Sequence, residues 1–198
     1  MKKILSVLLA LVLGCLVLTG CQKTVESIPS TDDKTEIENP YDMFKFTQYA
    51  TDGVKNEETA VILFEHANST FTTYQVAYIS CTCRDASANM YSVLYIELLN
   101  NKDKAEDAAI RSISFADGKG LFGDEDQAAH EFSEEYFDEM YLQNLVGKTK
   151  ADYDAWEGYG KEVEGVDAVT GATVTISNVD SVIKSLFEYH ADKYYEGK

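Results

Sequence analysis

The distribution of proline and aromatic residues divides this chain into two parts. Both prolines, Pro29 and Pro40, lie within residues 22–40, and that stretch contains no aromatic residue. It mixes Ser, Thr, Asp, Glu and Lys, so it cannot bury enough apolar surface to fold. Residues 41–198 contain no proline and are rich in aromatic residues, which suits one domain with a sizeable core. We therefore expect a flexible tether over residues 21–40 and a single domain over residues 41–198.

The first twenty residues have the pattern of an export signal. Lys2 and Lys3 form a basic start, and residues 4–18 are a nearly unbroken apolar run that is too short to span a bilayer comfortably. The following Leu18-Thr19-Gly20-Cys21 resembles a bacterial lipoprotein processing box. We expect residues 1–20 to be removed and Cys21 to be lipidated, since two acyl chains anchor a protein stably. The alternative is an ordinary secreted protein with a coincidental cysteine.

Hydrophobic patterning places strands before helices in the domain. Residues 131–145 show apolar side chains near helical spacing, and Val179, Val182, Ile183 and Leu186 fall on one helical face. Residues 102–109 are either a helical turn or a loop, and residues 118–126 are predicted to be a loop. Strands are indicated by β-branched and aromatic residues at residues 60–64, 72–79, 91–99 and 111–115. We predict an α+β domain, an antiparallel sheet with helices packed on one side.

The charge of the chain limits its partners. The formal net charge is −17, which disfavours binding to nucleic acid and to anionic lipid headgroups. It favours basic redox partners or cationic species, although solubility of an exported protein accounts for most of such a charge. We therefore predict that nucleic acid is not a partner.

The stretch Asp167-Ala-Val-Thr-Gly-Ala-Thr173 carries the strongest functional signal. A given tetrapeptide such as Thr-Gly-Ala-Thr arises by chance in about one in a thousand chains of this length. Its glycine allows a backbone to approach a bulky ligand closely, and the helix predicted to follow offers free N–H groups to phosphate. Ser177 and Asp180 stand as a capping-box-like start of that helix. The alternative is a small-residue turn that leads into a helix.

This stretch resembles the flavinylation motif of the FMN-binding domain family, which includes flavin subunits of the sodium-pumping quinone reductase and Rnf complexes. The resemblance is strong over residues 161–190 and faint over residues 72–123. It implies that Thr173 carries FMN through a phosphodiester bond. It implies that Asp167 and Thr170 serve recognition by a flavin transferase. Further cofactor-binding residues by this resemblance are Gly171, Ala172 and Thr175, although Ile176 departs from the usual order after Thr175.

The resemblance implies an electron carrier on the extracytoplasmic face of the cell membrane. A flavin transferase would attach the FMN, so the chain is the substrate of that reaction rather than its catalyst. A membrane quinone reductase or another redox donor would supply electrons for an extracellular acceptor. The alternative is a lipoprotein that binds flavin or another small ligand non-covalently, without an electron-transfer role. A third alternative is a cell-surface interaction protein with a fortuitous motif.

Four other groups of residues contain side chains or backbone of the kind found at functional sites. Cys81 and Cys83 can form a strained disulfide, a structural disulfide in a bend, or two buried thiols. The three histidines of the chain show no ligand spacing, so no metal site is predicted. The glycine-rich residues 120–126 either approach the flavin, as a similar loop does in the family, or form a surface turn. Any of Tyr153, Trp156 and Tyr159 can cover a flavin ring, or each packs in the core.

Overall fold

The computed structural model describes residues 40–50, 53–81, 90–116, 138–167 and 172–196. Five strands form one antiparallel sheet in which each strand pairs with the next along the chain. All four predicted strands are confirmed. The strands are β1 (Met43–Tyr49), β2 (Lys55–Ala67), β3 (Phe71–Cys81), β4 (Met90–Leu99) and β5 (Ile110–Phe115).

The inner face of the sheet follows from residue alternation. Every second residue of β3 is buried, beginning with Thr72, while the intervening side chains are half-buried on the outer face. Tyr74 and Tyr78, two of the large inward side chains, are almost fully buried. A register shift in β2 between Ile62 and Phe64 keeps both halves of that long strand paired with β3. The sheet therefore offers one apolar face to the helices.

Two α-helices, two short 3₁₀ turns and the helical residues 138–140 complete the described fold. Helix α1 (Lys150–Ala155) begins with a capping box in which the Thr149 side chain accepts from the Asp152 amide and the Asp152 carboxylate accepts from the Thr149 amide. Helix α2 (Thr173–Tyr195) is 23 residues long and packs on β1, β3 and α1. The 3₁₀ turns are Ala105–Asp107 and Leu142–Leu145. The predicted α+β fold with one antiparallel sheet is confirmed.

The predicted apolar face of α2 is its core face. Val179, Val182, Ile183 and Leu186 are each at most 1% exposed. Burial of side chains of this size stabilises the folded chain by about 1.5–3 kcal/mol each. Among the described residues no helix is long and apolar enough to cross a membrane.

Two features of the fold differ from the sequence expectation. Strand β1 and the first five residues of β2 were not predicted, because their charged side chains hide the alternation of an edge strand. Residues 138–140 are helical, but the chain turns at Tyr141 and continues as the 3₁₀ turn Leu142–Leu145, so residues 131–145 are not one continuous α-helix. The residues 131–137 lie outside the described part of the chain.

Candidate functional site

The predicted flavin-bearing segment lies at the start of α2. Thr173 is the first residue of that helix, and its side chain is exposed. Ala172 precedes it as the buried N-cap residue, and Asp167 is exposed at the other end of the motif. Thr170 and Gly171 lie outside the described residues. The structure thus places the hydroxyl predicted to carry FMN where another macromolecule can reach it.

The first turn of α2 is suited to a phosphate group. The first intrahelical bond runs from the Ile176 amide to the Ala172 carbonyl at 3.0 Å, so the amides before Ile176 precede the helical bonding pattern. The N-cap side chain makes no capping bond, and no acidic side chain lies in the first turn. The helix dipole and the N–H groups of this turn therefore favour an anion beside Thr173.

The predicted capping box at Ser177 and Asp180 is wrong. Helix α2 already begins at Thr173, so both residues lie inside the helix, and both are buried. The Ser177 hydroxyl instead accepts a hydrogen bond of 3.1 Å from the Gly160 amide. A Cβ atom on Gly160 would lie 3.7 Å from the Thr173 methyl carbon, so the chain passes close beside the helix start here. Sequence spacing could not reveal this contact with the preceding loop.

Thr175 does not share the position of Thr173. Two residues correspond to about 200° around a helix, so the two side chains leave α2 on opposite sides. Thr175 is half-buried, whereas Thr173 is exposed. The structure therefore does not bring Thr175 together with Thr173 on one helix face.

Buried polar residues in the middle of α2 fix the helix on the sheet. The Asn178 side chain, which is fully buried, accepts from the Tyr49 amide at 2.7 Å and donates to the Tyr49 carbonyl at 3.0 Å. It also donates to the Ser80 carbonyl at 2.6 Å. One amide side chain thus joins α2 to the ends of β1 and β3. Sequence patterning could not reveal this role, because an asparagine within a helix usually lies on the surface.

Asp180 forms a second buried polar contact, on the side of α2 that faces α1. Its carboxylate oxygens accept from the Tyr141 hydroxyl at 2.6 Å and from the Tyr153 hydroxyl at 3.3 Å. Burial raises the pKa of Asp180 to about 7, although the two hydrogen bonds act in the opposite direction. Burial also raises the pKa of both tyrosines above the usual value.

The structure separates the three aromatic residues that precede the motif. Tyr153 is fully buried in the core, so it cannot cover a ligand at the surface. Trp156 is 7% exposed, and its ring nitrogen donates to the Lys161 carbonyl at 2.9 Å. Tyr159 is half-buried and packs on Tyr49 with 5.6 Å between ring centroids. Trp156 and Tyr159 therefore belong to one aromatic group with Tyr49.

A cleft of about 570 Å³ lies between β1 and α2, next to this aromatic group. Thr47 and Tyr49 of β1 line one wall, and Ser181 and Lys184 of α2 line the other. The residues 156–158 line one part of it. A smaller cleft of about 350 Å³ adjoins Trp156 and is bordered by Asp152, Glu157, Glu162 and Glu164 with Lys161. The two clefts differ in charge. Three lysines and three glutamates border the larger one, whereas four carboxylates and one lysine border the smaller one.

The remaining sequence-predicted sites are only partly described. Cys81 ends β3, while Cys83, Cys21 and the glycine-rich residues 120–126 lie outside the described residues. His190 is buried and bonds the Tyr74 hydroxyl at 2.8 Å and the Leu99 carbonyl at 3.3 Å, which is a structural role. In the described part of the chain, no cluster of three or more His, Cys, Asp or Glu side chains can hold a metal ion.

Comparisons of the chain with protein-family models, with curated proteins and with solved structures find no match. The functional assignment therefore depends on the motif at residues 167–173 and on its setting at the start of α2.

Proposed function

We propose that this chain is a membrane-anchored electron carrier on the extracytoplasmic face of the membrane, with FMN held covalently on Thr173. The observation that supports this proposal is the position of Thr173. Its side chain is exposed at the first residue of a helix whose middle is fixed by buried hydrogen bonds. A carrier needs a cofactor attachment point that a transferase can reach and that does not move afterwards.

The attachment reaction follows from the chemistry of a hydroxyl and FAD. The Thr173 oxygen attacks the phosphorus on the flavin side of the pyrophosphate. A new oxygen–phosphorus bond forms, the bond to the bridging oxygen breaks, AMP leaves with that oxygen, and the hydroxyl proton passes to the transferase or to solvent. The electron count of the flavin does not change. This chain supplies the nucleophilic oxygen, and the transferase supplies the catalysis.

The residues around Thr173 fit a phosphodiester. The first-turn amides of α2 favour the negative charge of the phosphate, and no carboxylate in that turn competes with it. Ala172 has a small side chain that leaves room beside the helix start. Once attached, FMN supplies one- or two-electron redox chemistry, while the protein holds its position and sets its environment.

The proposal also includes the location of the protein at the extracytoplasmic face of the membrane. Lipidation at Cys21 would keep the carrier at the membrane, and residues 21–40 would give the domain freedom to turn between partners. A covalent bond suits such a carrier, because a dissociable cofactor would be lost outside the cell. The electron donor would be a membrane quinone reductase or another membrane redox protein, and the acceptor would be extracellular.

The test is the mass of the denatured protein. The full chain is co-expressed with a flavin transferase and compared with Thr173→Val and Thr173→Ser. We expect the wild-type chain to gain the mass of FMN minus water on the peptide that contains Thr173. Thr173→Val keeps the shape but lacks the hydroxyl, so it should stay unmodified, while Thr173→Ser keeps a nucleophile and should retain modification. Covalent FMN on Thr173→Val would contradict the proposal.

A second candidate function is non-covalent binding of flavin or another small ligand. The cleft of about 570 Å³ beside Tyr49 and Trp156 favours it, because small-molecule sites are concave and partly aromatic. The two functions differ in what denaturation does. Flavin that co-purifies but separates from the unfolded chain would support this candidate, whereas flavin that stays attached would support the carrier.

A further inference from the structure

We infer that the cleft between β1 and α2 seats the isoalloxazine ring of the flavin carried on Thr173. This inference rests on the proposed attachment at Thr173 and assigns the residues that surround the ring. Four properties of the cleft carry it: an open strand edge, an aromatic wall, lysine side chains, and a suitable distance from Thr173.

The free edge of β1 is open at the cleft. In an antiparallel pair, alternate residues bond the partner strand and the others face away. The Asp42 carbonyl accepts from the Ile62 amide, and the Ala50 amide donates to the Val54 carbonyl, so the even-numbered residues bond toward β2. The odd-numbered residues Lys45 and Thr47 therefore direct their amides and carbonyls toward the free edge.

The Tyr49 end of this edge is capped by the side chain of Asn178. Asn178 bonds both the amide and the carbonyl of Tyr49, as a neighbouring strand would. Among the described residues, the backbone of Thr47 makes no hydrogen bond outside the β1–β2 ladder. Thr47 lines the cleft, so one N–H donor and one C=O acceptor face it together. The pyrimidine edge of a flavin, which alternates carbonyl and N–H groups, needs such a donor and acceptor.

The side chains of the cleft suit a planar ring that gains negative charge on reduction. Tyr49 and Trp156 form an aromatic wall, with their rings edge to face at 6.3 Å. The Lys55 ammonium lies 5.9 Å from the centre of the Tyr49 ring. Lys184 enters from α2, and its ammonium lies 3.4 Å from the Trp156 carbonyl. Three glutamates also border the cleft, so its formal charges balance, whereas the smaller cleft has an excess of carboxylates. Each of the two lysines stabilises a reduced flavin more than an oxidised one.

The distance from Thr173 matches the length of FMN. Phosphate and the ribityl chain extend about 10 Å from the threonine oxygen to the ring, and the three fused rings add roughly 8 Å. Ser181 and Lys184 lie about 12 Å and about 17 Å along α2 from Thr173, and Lys184 is only about 20° from Thr173 around the helix. Gly160 beside Thr173 and Gly158 at the cleft have no side chain to block the path.

The neighbouring cleft is a poorer seat for the same ring. Four carboxylates and one lysine border it, so its field opposes the charge of reduced flavin and of the phosphodiester. Trp156 borders both clefts, so the two clefts differ in charge rather than in aromatic character.

The first test removes cations from the two clefts. FMN-loaded full chain is compared with Lys55→Met and Lys184→Met, and with Lys161→Met from the acidic cleft as a matched control. Mass after denaturation reports attachment, and a redox titration reports the midpoint potential. We expect full attachment in all variants. The ratio of reduced to oxidised flavin at a fixed potential should fall about two- to five-fold for Lys55→Met and Lys184→Met, the effect of one partly exposed charge.

The second test removes only the open backbone donor. Thr47→Pro lacks an N–H group that points away from β2, a position where an edge strand tolerates proline. Thr47→Ala, which changes the same side chain but keeps the backbone N–H group, is the control, and circular dichroism checks the fold of both. We expect Thr47→Pro to keep covalent FMN while its flavin absorption and fluorescence move toward those of free FMN.

The outcomes separate this inference from the proposed function. Covalent FMN with the same potential and fluorescence in Lys55→Met, Lys184→Met and Thr47→Pro as in the wild type would overturn the seat and leave the carrier intact. A wild-type chain that gains no FMN beside an active transferase would overturn the carrier, and the seat with it.

Discussion

The two edges of the sheet are treated differently by the fold. The β5 edge is covered by residues 138–148. The Ile110 amide donates to the Lys148 carbonyl, its carbonyl accepts from the Gly147 amide, and Gln143 donates to the Ile113 carbonyl. The β1 edge is capped at Tyr49 by Asn178 and is open at Thr47. A closed edge protects the sheet from pairing with other chains, whereas the open one can bind a ligand.

The largest loss of stability is expected when Asp180, which supports the closed edge, is replaced. Tyr141 lies just before the turn that covers β5, and its hydroxyl donates to Asp180. Asp180→Ala removes the acceptor of both Tyr141 and Tyr153. Each buried hydroxyl left without an acceptor costs about 1–3 kcal/mol, so the free energy of unfolding at pH 5 should fall by about 3 kcal/mol. Urea denaturation measures it, and an unchanged midpoint would show that these hydroxyls are not held by Asp180.

The same carboxyl should make stability depend on pH. Because burial raises the pKa of folded Asp180 to about 7, the folded chain keeps a proton that the unfolded chain releases near its ordinary value of about 4. The contribution of this group is therefore complete below pH 4 and is lost as pH rises through 7. The slope within this window is at most about 1.4 kcal/mol per pH unit.

Urea titrations at several pH values can detect this contribution in the wild-type chain and in Asp180→Asn. The amide cannot ionise, so its free energy of unfolding should vary less between pH 4 and pH 7. Equal slopes for the two proteins would show that Asp180 titrates normally.

A smaller effect is expected at the open edge. Asn178→Ala removes three hydrogen bonds to the backbones of Tyr49 and Ser80 and exposes the end of β1. We expect a loss of about 2 kcal/mol in the free energy of unfolding. Hydrogen exchange locates the change: the Tyr49 amide should lose protection, while the Ile110 amide at the other edge keeps it relative to global unfolding. Retained protection at Tyr49 would mean that another group caps this edge.

The smallest effect is expected at the closed edge itself. Gln143→Ala removes one partly buried bond of 3.2 Å to the Ile113 carbonyl, and the backbone bonds of Ile110 remain. The free energy of unfolding should fall by about 0.5–1.5 kcal/mol. Thermal denaturation measures the change, with Gln143→Glu as a variant that keeps the size but removes the donor. A loss as large as that of Asn178→Ala would contradict the view that this edge is closed mainly by backbone.

The two edges also illustrate which parts of the fold are predictable from the sequence. The interiors of β2 to β5 and the apolar face of α2 were predictable, because their side chains alternate or repeat with the period of one element. Strand β1 was not predictable. Its inward Phe44 and Phe46 flank a single charged residue, Lys45, and the strand is recognisable only from its pairing with the charged first residues of β2. The motif located Thr173, but Asn178 and Asp180 act on residues 27 to 129 positions away. No local pattern encodes such contacts.

Three hydrogen-bonding residues of α2 also restrict the rotation of this helix about its axis. Ser177 contacts the Gly160 loop, Asn178 contacts β1 and β3, and Asp180 contacts the two tyrosines. A shift of one residue would rotate every side chain by about 100° and would break all three contacts together. Helix α2 can therefore pack on the sheet in only one orientation about its axis. The first turns of the helix hold Thr173 in that same orientation. A flavin attached there and seated in the cleft would tumble with the whole domain, so its fluorescence anisotropy would report the rotation of the protein.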